Sequence, residues 1–139
     1  MKKKYNNKPY QDLSKYFQKF FANFGFFKIE GTGKPYYAGT RIGKVFRVVA
    51  ANKLKEMKDN ATPTRYGYLK LRMPDGTFKT MATHRIMGMF IPNPDPEHKS
   101  VVNHLKFAKN RNAIDELAWA SYSENYWYSK NQNTRRDKD

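Results

Sequence analysis

Between Val101 and Asn125 the chain reads VVNHLKFAKNRNAIDELAWASYSEN, and its chemistry-bearing residues fall in an ordered series. Two β-branched residues lead into the pair Asn103-His104, a basic loop containing asparagines follows, and a short apolar run ends at Trp119. Ser121 and Glu124 then stand at capping-box spacing, with Asn125 in the first turn of the helix they would start. Strand, loop, strand and helix in that order bring one imidazole and two amide oxygens toward one point. A neutral imidazole titrates near pH 7 and can take a proton from water. Amide oxygens suit a hard divalent cation, most naturally Mg²⁺, which keeps several waters and needs few protein ligands. Such a set is what single-metal hydrolysis of a phosphodiester requires: activated water, charge stabilisation and help for the leaving oxygen.

Each of these residues also has an ordinary structural use. A strand histidine is commonly just hydrogen-bonded, and an asparagine in a first helical turn is frequent. Taken alone, the structural use of His104 would prevail. His84 and Arg85 would stand at a helix start, where free N–H groups and side-chain charge attract phosphate; a purely structural histidine fits His84 equally well. A three-histidine zinc site (His84, His98, His104) finds no support in their irregular spacing.

The elements that must position these groups can be read from periodicity. Leu13, Tyr16, Phe17, Phe20, Phe21 and Phe24 make one apolar stripe on a helix over 11–24, with Gly25 as its terminator. That stripe suits core or partner packing better than a membrane anchor, and it is a possible self-association face. Gly31, Gly33, Pro35 and Gly39 break the next stretch into turns. Residues 44–51 (KVFRVVAA) read as a strand, and 52–63 as a loop with a short helix around Lys53–Lys58. Residues 68–73 and 77–83, joined by Pro74-Asp75-Gly76, are the clearest hairpin, with Lys70, Arg72 and Lys79 expected on its open face. Thr83 can cap a helix running to about Phe90, which Pro92 stops. The last helix is expected from Tyr122 toward Gln132.

Composition narrows the partner. A formal charge of +15 on 139 residues indicates a polyanion, since dense Lys and Arg displace condensed counterions from nucleic acid. With no cysteine, disulfides and thiolate-bound zinc are excluded. No apolar run approaches a membrane span, and Met-Lys-Lys-Lys lacks the apolar core of a signal peptide, so a soluble, cytoplasmic protein without a membrane partner is expected.

The segment 101–125 resembles the ββα-metal motif of HNH endonucleases, in the branch found among phage homing endonucleases. Upstream, Thr83-His84-Arg85-Ile86 followed by Phe90-Ile91-Pro92-Asn93-Pro94 is similar to that family's His-Arg helix and its F-I-P-N-P turn. Tyr37, Thr40, Gly43 and Val45 fall at the spacing of the Y-x-V-S-x-x-G-x-V strand module that often precedes the nuclease. The resemblance covers roughly residues 36 to 130. It implies that His104 is the general base, that Asn103 and Asn125 hold Mg²⁺ or another divalent cation such as Mn²⁺, and that the products carry 3′-hydroxyl and 5′-phosphate ends. It also implies double-stranded DNA as the partner and, for a phage gene, the bacterial host cytoplasm as the location. The nucleic-acid contacts expected are Lys70, Arg72, Lys79, His84, Arg85, Lys109 and Asn112.

Three departures bear on activity. Many relatives carry Asp where Asn103 stands, so this site lacks one negative charge. Relatives read I-D-G-N-K after the histidine, whereas this chain has Leu105-Lys106-Phe107-Ala108-Lys109; Lys109 and Asn112 keep the K-x-x-N spacing. Glu116 occupies the place of the middle asparagine, which in relatives fastens the loop beneath the histidine. Glu116 can accept hydrogen bonds but not donate them. Either it orients His104 by accepting from Nδ1–H, a catalytic role, or the loop is looser, and Lys106 and Lys109 are its nearest candidate partners.

The expected fold is α+β: a small antiparallel strand module followed by a ββα-metal nuclease motif, with an N-terminal amphipathic helix. Its divisions are a basic arm and aromatic helix (1–30), a strand-rich DNA-contacting module (31–83), the nuclease motif (84–132) and a charged tail (133–139). The function expected is a metal-dependent, HNH-type DNA endonuclease, most simply a monomer. The alternative is a catalytically degenerate HNH fold that only binds nucleic acid.

Overall fold

A computed structural model describes residues 20–50, 53–128 and 130. The expected helix over 11–24 and the charged tail lie mostly outside the described residues; of the former, residues 20–23 are helical. The rest is α+β, as expected, with three antiparallel sheets.

The first sheet has four strands in the order β1-β2-β3-β4: Phe26–Lys28, Tyr36–Gly39, Lys44–Ala50 and Lys53–Met57. β2, an inner strand of this sheet, is buried along its whole length. Two of these strands depart from the sequence reading. β1 was not foreseen, and Lys53–Met57, expected as loop with a short helix, is the edge strand β4. Pairing with β3 decides the matter, with Val45 opposite Met57 and Arg47 opposite Lys55. An edge strand can be charged on both faces, and that removes the alternation by which strands are recognised.

The second sheet is the hairpin β5 (Tyr68–Arg72) and β6 (Phe78–Ala82). Its register pairs Lys70 with Thr80 and Arg72 with Phe78, but Leu71 with Lys79. Directly opposed residues share a face, so Lys79 stands on the Leu69–Leu71 side and not on the open face with Lys70 and Arg72. Arg72 instead covers the exposed Phe78 ring, 5.4 Å from its centroid.

The third sheet pairs β7 (Val101–His104) with β8 (Leu117–Ala120), and a single 3₁₀ turn, Ile114–Glu116, leads into β8. Between the second and third sheets lies the helix Thr83–Gly88. Thr83 is its first residue and not its cap; Ala82 holds the cap position without a side-chain bond. The Thr83 hydroxyl donates to Asp59 and its N–H to the Gly67 carbonyl, so the helix is aimed by the β4–β5 connection. Gly88 lets the helix close onto the third sheet: a Cβ there would lie 2.7 Å from Val102 Cγ2. Trp119 Nε1–H donates to the Ile91 carbonyl at 3.0 Å and fixes the turn after the helix to β8.

One core joins the sheets, built from Ile29, Tyr36, Val45, Leu71, Ile86, Met87, Val102 and Leu117 among others. Truncating a fully buried member such as Leu71 to Ala costs on the order of 2–5 kcal/mol. Residues 122–128 are helical, and the expected capping box is formed: Glu124 N–H donates to Ser121 Oγ and Ser121 N–H to Glu124 Oε1, each at 3.0 Å. These bonds, led by that from the Ser121 N–H, together with Lys99 Nζ at 2.9 Å, hold the Glu124 carboxyl down at about 2. Among the described residues no helix is long and apolar enough to cross a membrane.

Candidate active site

His104 ends β7, opposite Leu117, on the same strand face as the core residue Val102. Its ring is buried, and its Nε2 lies 2.7 Å from Asn112 Oδ1. An amide oxygen only accepts, so Nε2 must carry the proton and Nδ1 keeps its lone pair. Nδ1 has no hydrogen-bond partner among the described residues. Among the described residues, the one side-chain polar atom both fully buried and without a partner is Tyr37 Oη. Nδ1 therefore remains in contact with solvent.

Burial pushes the His104 pKa down; the Asn112 bond opposes that, Lys109 adds to it and Glu116 opposes it. The net effect is a neutral ring near pH 7. This imidazole is deprotonated at the nitrogen that faces water, as a general base must be.

Two further rings pack against it. The His84 centroid lies 5.1 Å from that of His104, and Tyr66 lies 4.7 Å from His84 and 5.5 Å from His104. Lys109 Nζ stands 4.6 Å from the Tyr66 centroid. Burial, then His104, then Arg85 push the His84 pKa down to about 4. His84 is thus a neutral, partly buried ring beside the base. Arg85 is exposed, and with Lys79, Tyr66 and Tyr68 it flanks an open cleft beside His84. His98 is remote in character from these rings: exposed, and paired with Asp95 at 2.9 Å.

The loop from 105 to 116 closes differently from the expectation. Glu116, expected either to orient His104 or to leave the loop loose, does neither directly. Its carboxylate takes Arg111 at 2.7 Å and Lys106 at 3.7 Å, while Lys109 goes to Tyr66. The bond to His104 is made by Asn112. That residue was expected to face nucleic acid, but it is buried, and its amide oxygen is taken by the imidazole. Backbone fastening persists, since Leu105 N–H donates to the Glu116 carbonyl at 2.9 Å.

The strand module supports Asn112 from behind. Gly43, at φ +69°, sits so close that a Cβ would fall 2.2 Å from the Asn112 carbonyl carbon, and Ile114 N–H donates to the Thr40 carbonyl at 3.0 Å. Thr40 and Gly43, picked out by their spacing, are where that module touches the site. Tyr66 and the Asn112 bond to His104 were not foreseen. Tyr66 lies in a connection without periodicity, and nothing local marked it.

Asn103 precedes His104 on β7 and pairs with Ala118, and strand alternation turns its amide away from the imidazole, so among the described residues no contact shows the expected meeting of the two groups at one point. It is buried, and among the described residues neither its amide nor that of Asn125 makes a side-chain hydrogen bond. The helix 122–128 returns to the end of β7, where the Tyr128 hydroxyl donates to the Leu105 carbonyl. Asn125, three residues before Tyr128, shares that helical face. Two uncommitted amide oxygens fit a hard cation held by few protein ligands and several waters. No group of three His, Asp or Glu side chains among the described residues offers a stronger metal site.

No protein-family model matches the chain. A 67-residue stretch, 48% of the chain, is 37% identical to the uncharacterized HNH endonuclease L247 of Acanthamoeba polyphaga mimivirus. The described fold is similar to that of the HNH homing endonuclease I-HmuI, whose structure concerns DNA binding and cleavage. The TM-score is 0.60 and the identity 23% over 79% of this chain. The chain spans 16% of the length of the first and 58% of the second. The resemblance to HNH endonucleases is thus supported by a sequence relative over about half of the chain, and the fold is similar to that of a homing endonuclease.

Proposed function

From a chain with the fold of the HNH homing endonucleases, we propose a metal-dependent DNA endonuclease in which His104 is the general base. The observation that carries this reading is the Asn112–His104 bond, which leaves a neutral, water-facing Nδ1 at the end of β7. There His104 takes a proton from the attacking water, a role typically worth about 10²–10⁴ in rate. Asn103 and Asn125 would hold Mg²⁺ or Mn²⁺, which when bound supplies charge stabilisation to the phosphorane and the leaving oxygen. With two neutral ligands the protein contributes no charge to that ion, and the scissile phosphate completes the anionic set.

Arg85 and Lys79 stand beside the cleft next to His84 and would draw the phosphodiester in, while Lys70 and Arg72 on the open face of the β5–β6 hairpin hold backbone farther along the duplex. His84, neutral and packed on His104, offers shape and a hydrogen bond to phosphate more than charge.

Supercoiled plasmid tests the reading: nicked or linear product with Mg²⁺ and none with EDTA. Asn103→Asp should shift the Mg²⁺ requirement to lower concentration and Asn125→Ala to higher. A nucleic-acid-binding module without cleavage is the competing reading, favoured by the engagement of Glu116 with Arg111 and Lys106 in place of the histidine. Salt-sensitive DNA binding with intact plasmid under every divalent metal would establish it.

A further inference from the structure

We infer that Tyr128 and Phe107 form a latch that holds the helix carrying Asn125 against the loop leaving His104, which makes both of them positioning residues for the cation. The inference rests on the nuclease reading above.

Phe107 stands where relatives place the glycine of an Asp-Gly turn, and its backbone keeps the left-handed conformation that glycine favours, with φ +68°. A side chain other than glycine is disfavoured there and persists only where its surroundings hold it. The Phe107 ring meets one such surrounding. It stacks on Tyr128, centroids 4.8 Å apart and planes 22° from parallel. The Tyr128 hydroxyl donates to the Leu105 carbonyl, two residues earlier in the same turn. Phe107 N–H in turn bonds to the His104 carbonyl at 3.3 Å. One tyrosine therefore grips, by ring and by hydroxyl, the segment that begins at the base.

The same tyrosine sits one helical turn beyond Asn125 and on its face. Fixing Tyr128 to residues 105–107 fixes how far Asn125 stands from the end of β7, where Asn103 lies. The chain has lost the glycine of the turn and gained a ring, and the ring ties together two segments that a glycine would leave untied. Partners that orient a metal ligand without touching the ion typically change affinity by about 10–100-fold when lost.

The test measures Mn²⁺ binding to the full-length protein without DNA, by loss of the free-ion electron paramagnetic resonance signal. Melting temperature and plasmid cleavage are followed in parallel. Tyr128→Ala should weaken Mn²⁺ binding by about tenfold or more. Tyr128→Phe, which removes one hydroxyl and keeps the stack, should weaken it by about threefold. Phe107→Gly is the decisive variant. Glycine suits a positive φ better than phenylalanine, so a role confined to the turn's backbone would leave Mn²⁺ binding unchanged or tighter. The latch instead requires it to weaken as in Tyr128→Ala, with cleavage recovered at saturating Mn²⁺. Wild-type binding that is matched by Phe107→Gly and Tyr128→Ala overturns the latch alone. Wild-type protein that cuts but binds no Mn²⁺ without DNA also overturns the latch alone, and wild-type protein that neither binds Mn²⁺ nor cuts overturns the nuclease reading, and the latch with it.

Discussion

The Nε2–H of His104 points at Asn112 Oδ1 across 2.7 Å, and that single bond decides which ring nitrogen is left to act. Removing it should let the ring turn and change tautomer without disturbing the DNA-facing surface, because Asn112 is buried. Asn112→Ala is expected to lower the cleavage rate by about 10–100-fold. DNA affinity, measured by fluorescence anisotropy, should be unchanged. An unaltered rate in a folded variant would remove Asn112 from the account.

Gly43 makes the same point from the other side of Asn112. A methyl group there meets the Asn112–Ala113 backbone, which cannot swing aside as a side chain would, and the positive φ adds strain. Gly43→Ala should therefore destabilise the fold by about 1–3 kcal/mol. At temperatures where it is still folded, it should also lower the cleavage rate at saturating Mg²⁺. Full activity with only a lowered melting temperature would mean that the strand module supports the fold and not the base.

His84 gives a pH dependence of defined sign. Its pKa is about 4 in the folded chain, against an ordinary value of 6.5. Between those values the unfolded chain binds a proton that the folded chain does not, so stability falls as pH drops from about 6.5 to about 4. His104, whose pKa is also lowered, acts in the same direction. His84→Phe keeps a ring against Tyr66 and His104 but cannot be protonated. Urea unfolding across this window should show a shallower loss for the variant, and an equal slope would contradict the assignment.

The hairpin makes a separable claim about affinity. Lys70 and Arg72 share its open face, while the register turns Lys79 to the other. Each lost phosphate contact lowers the slope of log affinity against log salt by about one. The Lys70→Ala/Arg72→Ala double variant should therefore lose about two. A wild-type slope would mean that this face does not meet the backbone.

What was legible in the sequence was local. Ser121 and Glu124 cap the last helix as their spacing required, the Pro74-Asp75-Gly76 turn closes its hairpin, and His104 ends its strand. What was not legible depends on partners distant in the chain. Lys53–Met57 is a strand because β3 is beside it. Thr83 gives its hydroxyl to Asp59, 24 residues away, and so does not cap its own helix. Which face Lys79 takes is fixed by register, which no single strand carries. Whether Asn112 or Glu116 reaches the imidazole depends on how the loop closes, and Arg111 settles that by taking the carboxylate.

Cleavage measured together with affinity tests the role of His104 most directly. Wild-type protein and His104→Ala are incubated with supercoiled plasmid and Mg²⁺, while binding of a labelled duplex is titrated for both. A His104 base requires Mg²⁺-dependent cutting by the wild type, a loss of about 10²–10⁴ in rate for the variant, and nearly equal affinities, since one neutral ring contributes little to backbone binding. Cleavage by His104→Ala at the wild-type rate would contradict it.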